Sequence, residues 1–188
     1  MKRLMTEVVE QLAPQCFIDV FASYGVKLTP ERRKAHTSLP PVEKNDEPRV
    51  AGIVGFTGQK MRGTFVFVAS YEVIAAARPS ELKKLTARTS SDWILVRDWA
   101  GELANQVVGR IKNRLRVFGV TLQVSTPTAL SGPELRFAKP KAPATRAHVF
   151  LAAGTKTWCW FDAVYDPELE ADVTGGDRAA AEGDIILF

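Results

Sequence analysis

The stretch from Ser91 to Phe118 limits what this chain can fold into more than any other. Advancing about 100° per residue from Asp98, the apolar side chains Val96, Ala100, Leu103, Val107, Ile111 and Phe118 gather near 180 to 220°, and Ala104 and Leu115 widen the band. This pattern predicts one long amphipathic helix. Ser90 or Ser91 can cap its first turn with a hydroxyl, and Gly119 supplies a C-terminal stop. Asp98, Glu102, Asn105, Gly109 and Lys112 fall within about 40° of zero, on the side turned away from the core.

The runs around this helix alternate between strand and loop chemistry. Thr6 to Tyr24 has helical spacing, but Pro14 should kink it or divide it into two helices. Residues 29–49 combine four prolines with dense charge and almost no large apolar side chains, which predicts a mobile loop. VAGIVGFTG from Val50 and KMRGTFVFVAS from Lys60 read as a β-hairpin. Tyr71 to Ala77 reads as a short helix ended by Pro79, and Glu81 to Thr89 as a further short helix or loop. VTLQVSTPTALSG reads as a strand ending at Pro127; AHVFLAAG and TKTWCWFDAVY read as two more strands, joined by a hairpin through Gly154 and Thr155. Helices set among antiparallel-looking strands predict an α+β fold, one sheet with helices packed on a face. Trp158 and Trp160 alternate with Cys159, so both point to one side of their strand, as core or dimer interface rather than as a stacking platform.

With 188 residues, the chain is long enough for one sizeable core. We expect a main domain over residues 1–165, followed over 166–188 by a flexible acidic tail with an apolar tip. The formal charge of +4 is spread along the sequence, which supports a nucleic-acid partner only weakly and an acidic protein partner slightly better, so no nucleic-acid partner is expected. Two cysteines, Cys16 and Cys159, sit among apolar neighbours, and His36 and His148 stand far apart. Neither a metal site nor a Cys/His catalytic pair is expected, and the thiols read as buried and reduced. No signal peptide and no run of about 18 apolar residues is visible, so the expectation is a soluble cytoplasmic protein without a membrane partner.

A solvated helix face ordinarily carries good helix formers and has no further role. Asn105 is a mediocre helix former, and Gly109 costs about 1 kcal/mol relative to alanine in a helix interior. Gly109, and Gly101 on the flank at about −60°, would let a partner's backbone approach. A carboxylate and an amide without a nucleophile, metal set or phosphate-cradling loop cannot run a reaction on a small molecule alone. They can complete a partner's site: an amide can hold a water in line with phosphorus, as glutamine does in GTPases, and a carboxylate one turn away can pair with a lysine.

The segment Asp98-Trp-Ala-Gly-Glu102-Leu-Ala-Asn105, with Gly109 and then Pro127, resembles the D/S-x3-E-x2-N signature and downstream proline of the CheX/CheC/FliY response-regulator phosphatases. The hairpin from Val50 and the strand from Val120 also resemble this family, so the likeness spans roughly Val50 to Phe161. It implies a CheC/CheX-like fold, with an antiparallel sheet packed against long helices, and hydrolysis of the aspartyl phosphate on a CheY-like receiver domain. It also implies no cofactor of the chain's own, the Mg²⁺ and the phosphorylated aspartate both belonging to the receiver. By position, Glu102 would pair with the receiver's lysine and Asn105 would orient the hydrolytic water. Asp98 would support, and Gly101, Gly109 and Lys112 would line the contact. A second motif on the first helix is missing, since Glu10 has Thr6 before and Ala13 after it, while Glu7 has Arg3 and Glu10. One active face per chain resembles the CheX branch, which is associated with homodimers.

The tip Gly183-Asp184-Ile185-Ile186-Leu187-Phe188 either folds back, as an edge strand or over a groove, or acts as a tethered docking peptide, with Ile185, Leu187 and Phe188 as partner-binding anchors. Two functional classes stay open at this stage: a receiver phosphatase, and a non-catalytic scaffold of the same fold that docks a receiver or another signalling partner.

Overall fold

The computed structural model describes residues 2–31, 48–79, 88–133, 135, 137, 147–166 and 169–172. In chain order the elements are β1 (Lys2–Leu4), α1 (Met5–Ser23), β2 (Thr29–Pro30), β3 (Arg49–Thr57), β4 (Met61–Ser70), α2 (Tyr71–Ala76), α3 (Ser90–Arg116), β5 (Gln123–Val124), β6 (Thr128–Gly132), β7 (Ala147–Ala152), β8 (Thr155–Tyr165) and β9 (Glu170–Asp172). One antiparallel sheet runs in the order β2-β7-β8-β4-β3-β5, and β6 also pairs with β3.

Alternation along the central strands divides the buried side chains between the two faces. Val54, Phe65, Phe67, Phe150 and Cys159 face the helices, where Phe17 and Phe21 of α1 meet Leu103, Val107 and Ile111 of α3 in the main core. Ala51, Val66, Val68, Trp158 and Trp160 point the other way into a smaller cluster covered by Leu135 and Phe137. Trp158 and Trp160 are therefore core residues, Trp160 meeting Phe137 edge-on at 5.1 Å between ring centroids. The expected α+β architecture, helices on one face of an antiparallel sheet, is the observed one. Both cysteines are buried and free; burial pushes the Cys16 thiol up to about 11 and raises that of Cys159 further.

Several local expectations change. α1 runs unbroken through Pro14, which sits half-buried between the buried Ala13 and Cys16. The apolar stripe on both sides of the proline, from Val8 and Val9 to Phe17 and Phe21, packs on the same core, and that burial outweighs one missing backbone hydrogen bond. Thr89, rather than Ser90 or Ser91, caps α3. Its hydroxyl accepts from Asp92 N at 3.3 Å while the Asp92 carboxylate accepts from Thr89 N at 3.0 Å, a reciprocal capping box. Gly119 ends the helix at φ 73°, as its position predicts.

Pairing does not stop at Pro127. The proline lacks an N–H and interrupts the ladder, but β5 before it and β6 after it both pair with β3, and Ser125 bridges them by bonding both backbone groups of Gly55. The β7–β8 turn is Ala153-Gly154, both with positive φ, one residue earlier than expected. Residues 169–172, placed by composition in the flexible tail, contribute a buried Leu169 and the strand β9, which pairs with β1. Most of the loop expected over 29–49 and of the 81–89 segment lies outside the described residues. Among the described residues no helix is long and apolar enough to cross a membrane.

Candidate functional site

The site is a strip of α3, and the sheet decides which way the strip points. Gly52 in the middle of β3 lies so close to the helix that a Cβ there would meet the Ala100 carbonyl oxygen at 2.5 Å and the Ala104 Cβ at 3.0 Å. This approach seats Val96, Ala100, Leu103, Ala104, Val107, Ile111 and Leu115 on the core with no exposed surface. Asp98, Glu102 and Asn105, half a turn away, are exposed together, and Lys112 is half-buried further along. Apart from Gly109 itself, its chain neighbours and the helix's own backbone, no atom of the described residues lies within 4 Å of where a Cβ on Gly109 would stand. The helix is open there.

Gly101 differs from its expected role. It is buried, and a Cβ on it would meet Pro127 and Ala129 at 3.7 Å. Its flank of α3 is covered by the chain that crosses from β5 to β6, so Gly101 packs against that crossing instead of opening an approach for a partner. Pro127 thus stands at one border of the exposed strip. At the other border, the Trp99 ring meets Tyr24 edge-on at 5.2 Å and its Nε1 donates to the Ala77 carbonyl at 2.8 Å. The Gln106 carboxamide touches both sides of that border, with Nε2 3.1 Å from Glu102 Oε1 and 2.9 Å from the Tyr24 hydroxyl.

Charges on the strip are arranged in water. Asp98 keeps 65% of its side chain exposed and pairs loosely with Arg97 at 3.5 Å, a contact of little energetic weight. One turn earlier, Ile94 and Leu95 are 50% and 44% exposed, two large apolar side chains flanking the approach to Asp98. Helical spacing puts the pair at about −40° and 60°, on the outer face, but two apolar side chains among polar ones carry no chemical signal by themselves. For Gln106 the one local signal is its spacing of four from Glu102. Tyr24 had none. The anchors Ile185, Leu187 and Phe188 lie outside the described residues.

No metal-ligating group of His, Cys, Asp or Glu occurs among the described residues. A cleft of about 680 Å³ lies at the far end of α3, lined by Gly58, Lys60, Phe118, Thr121 and Leu169 among others, and includes none of the motif residues. The motif is therefore displayed on a convex helix, which can reach into a partner's cavity but cannot enclose a small substrate.

Comparisons with known proteins agree with this architecture. The family model described as "Chemotaxis phosphatase CheX" matches residues 50–150, and the chain belongs to that family. No curated protein sequence matches it. Among solved structures, the chemotaxis protein CheX from Vibrio vulnificus is similar at 17% identity and a TM-score of 0.66, covering 82% of this chain and 95% of that one. CheX from Desulfovibrio desulfuricans is similar at 20% identity and a TM-score of 0.63, covering 83% and 99%. The CheX-CheY-BeF3-Mg²⁺ complex from Borrelia burgdorferi matches at 14% identity and a TM-score of 0.56, covering 80% and 96%. At these identities the structural likeness concerns the fold.

Proposed function

We propose that this chain is a protein phosphatase that removes the aspartyl phosphate of a CheY-like receiver domain by inserting Glu102 and Asn105 into the receiver's site. The observation that carries the reading is the joint exposure of these two side chains on one strip of α3, beside the open Gly109. Membership of the chemotaxis phosphatase family supports it, as does the complex with CheY in which the Borrelia relative was solved.

In this reaction the chain contributes geometry and dipoles. The Asn105 amide accepts a hydrogen bond from a water and directs its oxygen at phosphorus opposite the aspartyl oxygen, while the amide N–H can donate to the phosphoryl group. The Glu102 carboxylate pairs with a receiver lysine and sets the register of docking. Mg²⁺ and the phosphorylated aspartate come from the receiver. Ile94 and Leu95 extend the contact beyond the polar centre, because an interface of about 800 Å² per partner reaches well past a single helical turn. The test is the decay of a phosphorylated receiver with and without the protein: acceleration at substoichiometric amounts supports a catalyst, while binding without acceleration supports the scaffold reading.

A further inference from the structure

We infer that Gln106 and Tyr24 are positioning residues that fix Glu102 before a receiver arrives; this rests on the phosphatase reading above. A glutamate on a solvated helix samples many rotamers, and ordering it costs free energy on every docking event. Glu102 is restrained in advance. Gln106 Nε2 donates to its Oε1 at 3.1 Å, and the same carboxamide lies against the Tyr24 hydroxyl, 3.0 Å from Oε1 and 2.9 Å from Nε2.

An i,i+4 amide–carboxylate pair is weak when both partners are free. Here one partner is tied to the body of the protein. Tyr24 follows α1, its ring is set edge-on against Trp99, and Trp99 is tied through its indole N–H to the Ala77 carbonyl. The restraint therefore runs from packed backbone through Trp99, Tyr24 and Gln106 to an exposed carboxylate. It engages one carboxylate oxygen, Oε1, leaving Oε2 for a lysine of the partner. Gln106 Nε2 has two hydrogens, and the two acceptors match them.

A structural alternative is that Gln106 serves only to fasten α3 to α1. Arg114 and Asp19 already join those helices at 2.8 Å, and a fastening role would not depend on Glu102. The two accounts separate in the kinetics. Positioning Glu102 affects docking, so its loss raises KM; the water is oriented by Asn105, so kcat holds.

The experiment measures decay of a phosphorylated CheY-like receiver over a range of receiver concentrations. It uses the full chain carrying Gln106→Leu or Tyr24→Phe, each alone and together with Glu102→Ala. Tyr24→Phe keeps the ring contact with Trp99 and removes only the hydroxyl, so it reads the relay even where leucine at 106 disturbs folding. We expect KM to rise ~fivefold for Gln106→Leu and ~twofold for Tyr24→Phe, with kcat within ~twofold of wild type, and both effects to vanish in the Glu102→Ala background. Unchanged KM in both single variants, or equal losses with and without Glu102, overturns the positioning role. If wild type accelerates decay, Asn105→Ala does not, and both variants match wild type, the positioning role fails while the phosphatase reading stands. If wild type itself does not accelerate decay, both fall.

Discussion

Gly52 lies tight against Ala100 of the site helix: a Cβ on Gly52 would stand 2.5 Å from the Ala100 carbonyl oxygen and as close to Phe67 Cε1. Neither neighbour can yield easily, since one is helix backbone and the other a core ring. Gly52→Ala should therefore destabilise the protein by about 1–3 kcal/mol, read as a lower urea midpoint with an unchanged slope. A variant as stable as wild type would show that α3 can lift off the sheet at little cost.

The two glycines beside the motif should behave in opposite ways. Gly109 has open space around it within a helix, so Gly109→Ala should raise stability by about 0.5–1 kcal/mol. On the proposed docking the added methyl would stand in the receiver's path, so phosphatase activity should fall even as the protein becomes more stable. Gly101→Ala places its methyl at ordinary contact distance from Pro127 and Ala129 and should leave activity near wild type. Thermal melts and receiver-decay rates on the same preparations check both.

Ile94 and Leu95 test the reach of the docking face. Both are half-exposed, so replacing the pair by serine should alter stability by no more than about 0.5 kcal/mol. Affinity for the phosphorylated receiver should nevertheless fall about tenfold, from the lost apolar burial. Titration of a labelled receiver loaded with beryllofluoride reads the effect, and unchanged affinity would confine the interface to the polar centre.

The face of α3 was legible because its period is local: core stripe and polar strip both follow from positions within one element. Gly101 was misjudged because its flank is covered by the β5–β6 crossing, whose path past Pro127 is fixed by pairing with β3 some seventy residues earlier in the chain. Tyr24 was invisible for the same reason, its partner Gln106 being distant in sequence. The pairing of β1 with β9 joins three-residue strands, too short to show an alternation, from opposite ends of the chain. Pro14 was read by its intrinsic cost, which the burial of Phe17 and Phe21 overrides.

The thiols give a pH prediction with a definite sign. Burial raises the Cys16 pKa from 9.0 to about 11, so the folded state holds this proton more tightly than the unfolded state does. Between those values the unfolded chain binds fewer protons, and stability falls as pH rises through about 9 to 11. Cys159, shifted in the same direction by burial, adds to the decline. In native buffer at pH 8 both thiols should resist a disulfide reagent, and both should react at once in urea; fast native labelling of either would contradict its burial.

The central claim is that Asn105 acts on the water while Glu102 sets the docking. Its most direct test follows single-turnover decay of a phosphorylated CheY-like receiver under saturating wild-type protein, Asn105→Ala and Glu102→Ala, alongside binding of each to the beryllofluoride-loaded receiver. The account predicts that Asn105→Ala binds within a few-fold of wild type yet leaves decay at the receiver's own rate, a loss of at least about 10²-fold relative to wild type. Glu102→Ala should bind more weakly and recover most of the turnover at saturation. Decay by Asn105→Ala at the wild-type rate, with binding intact, would contradict it.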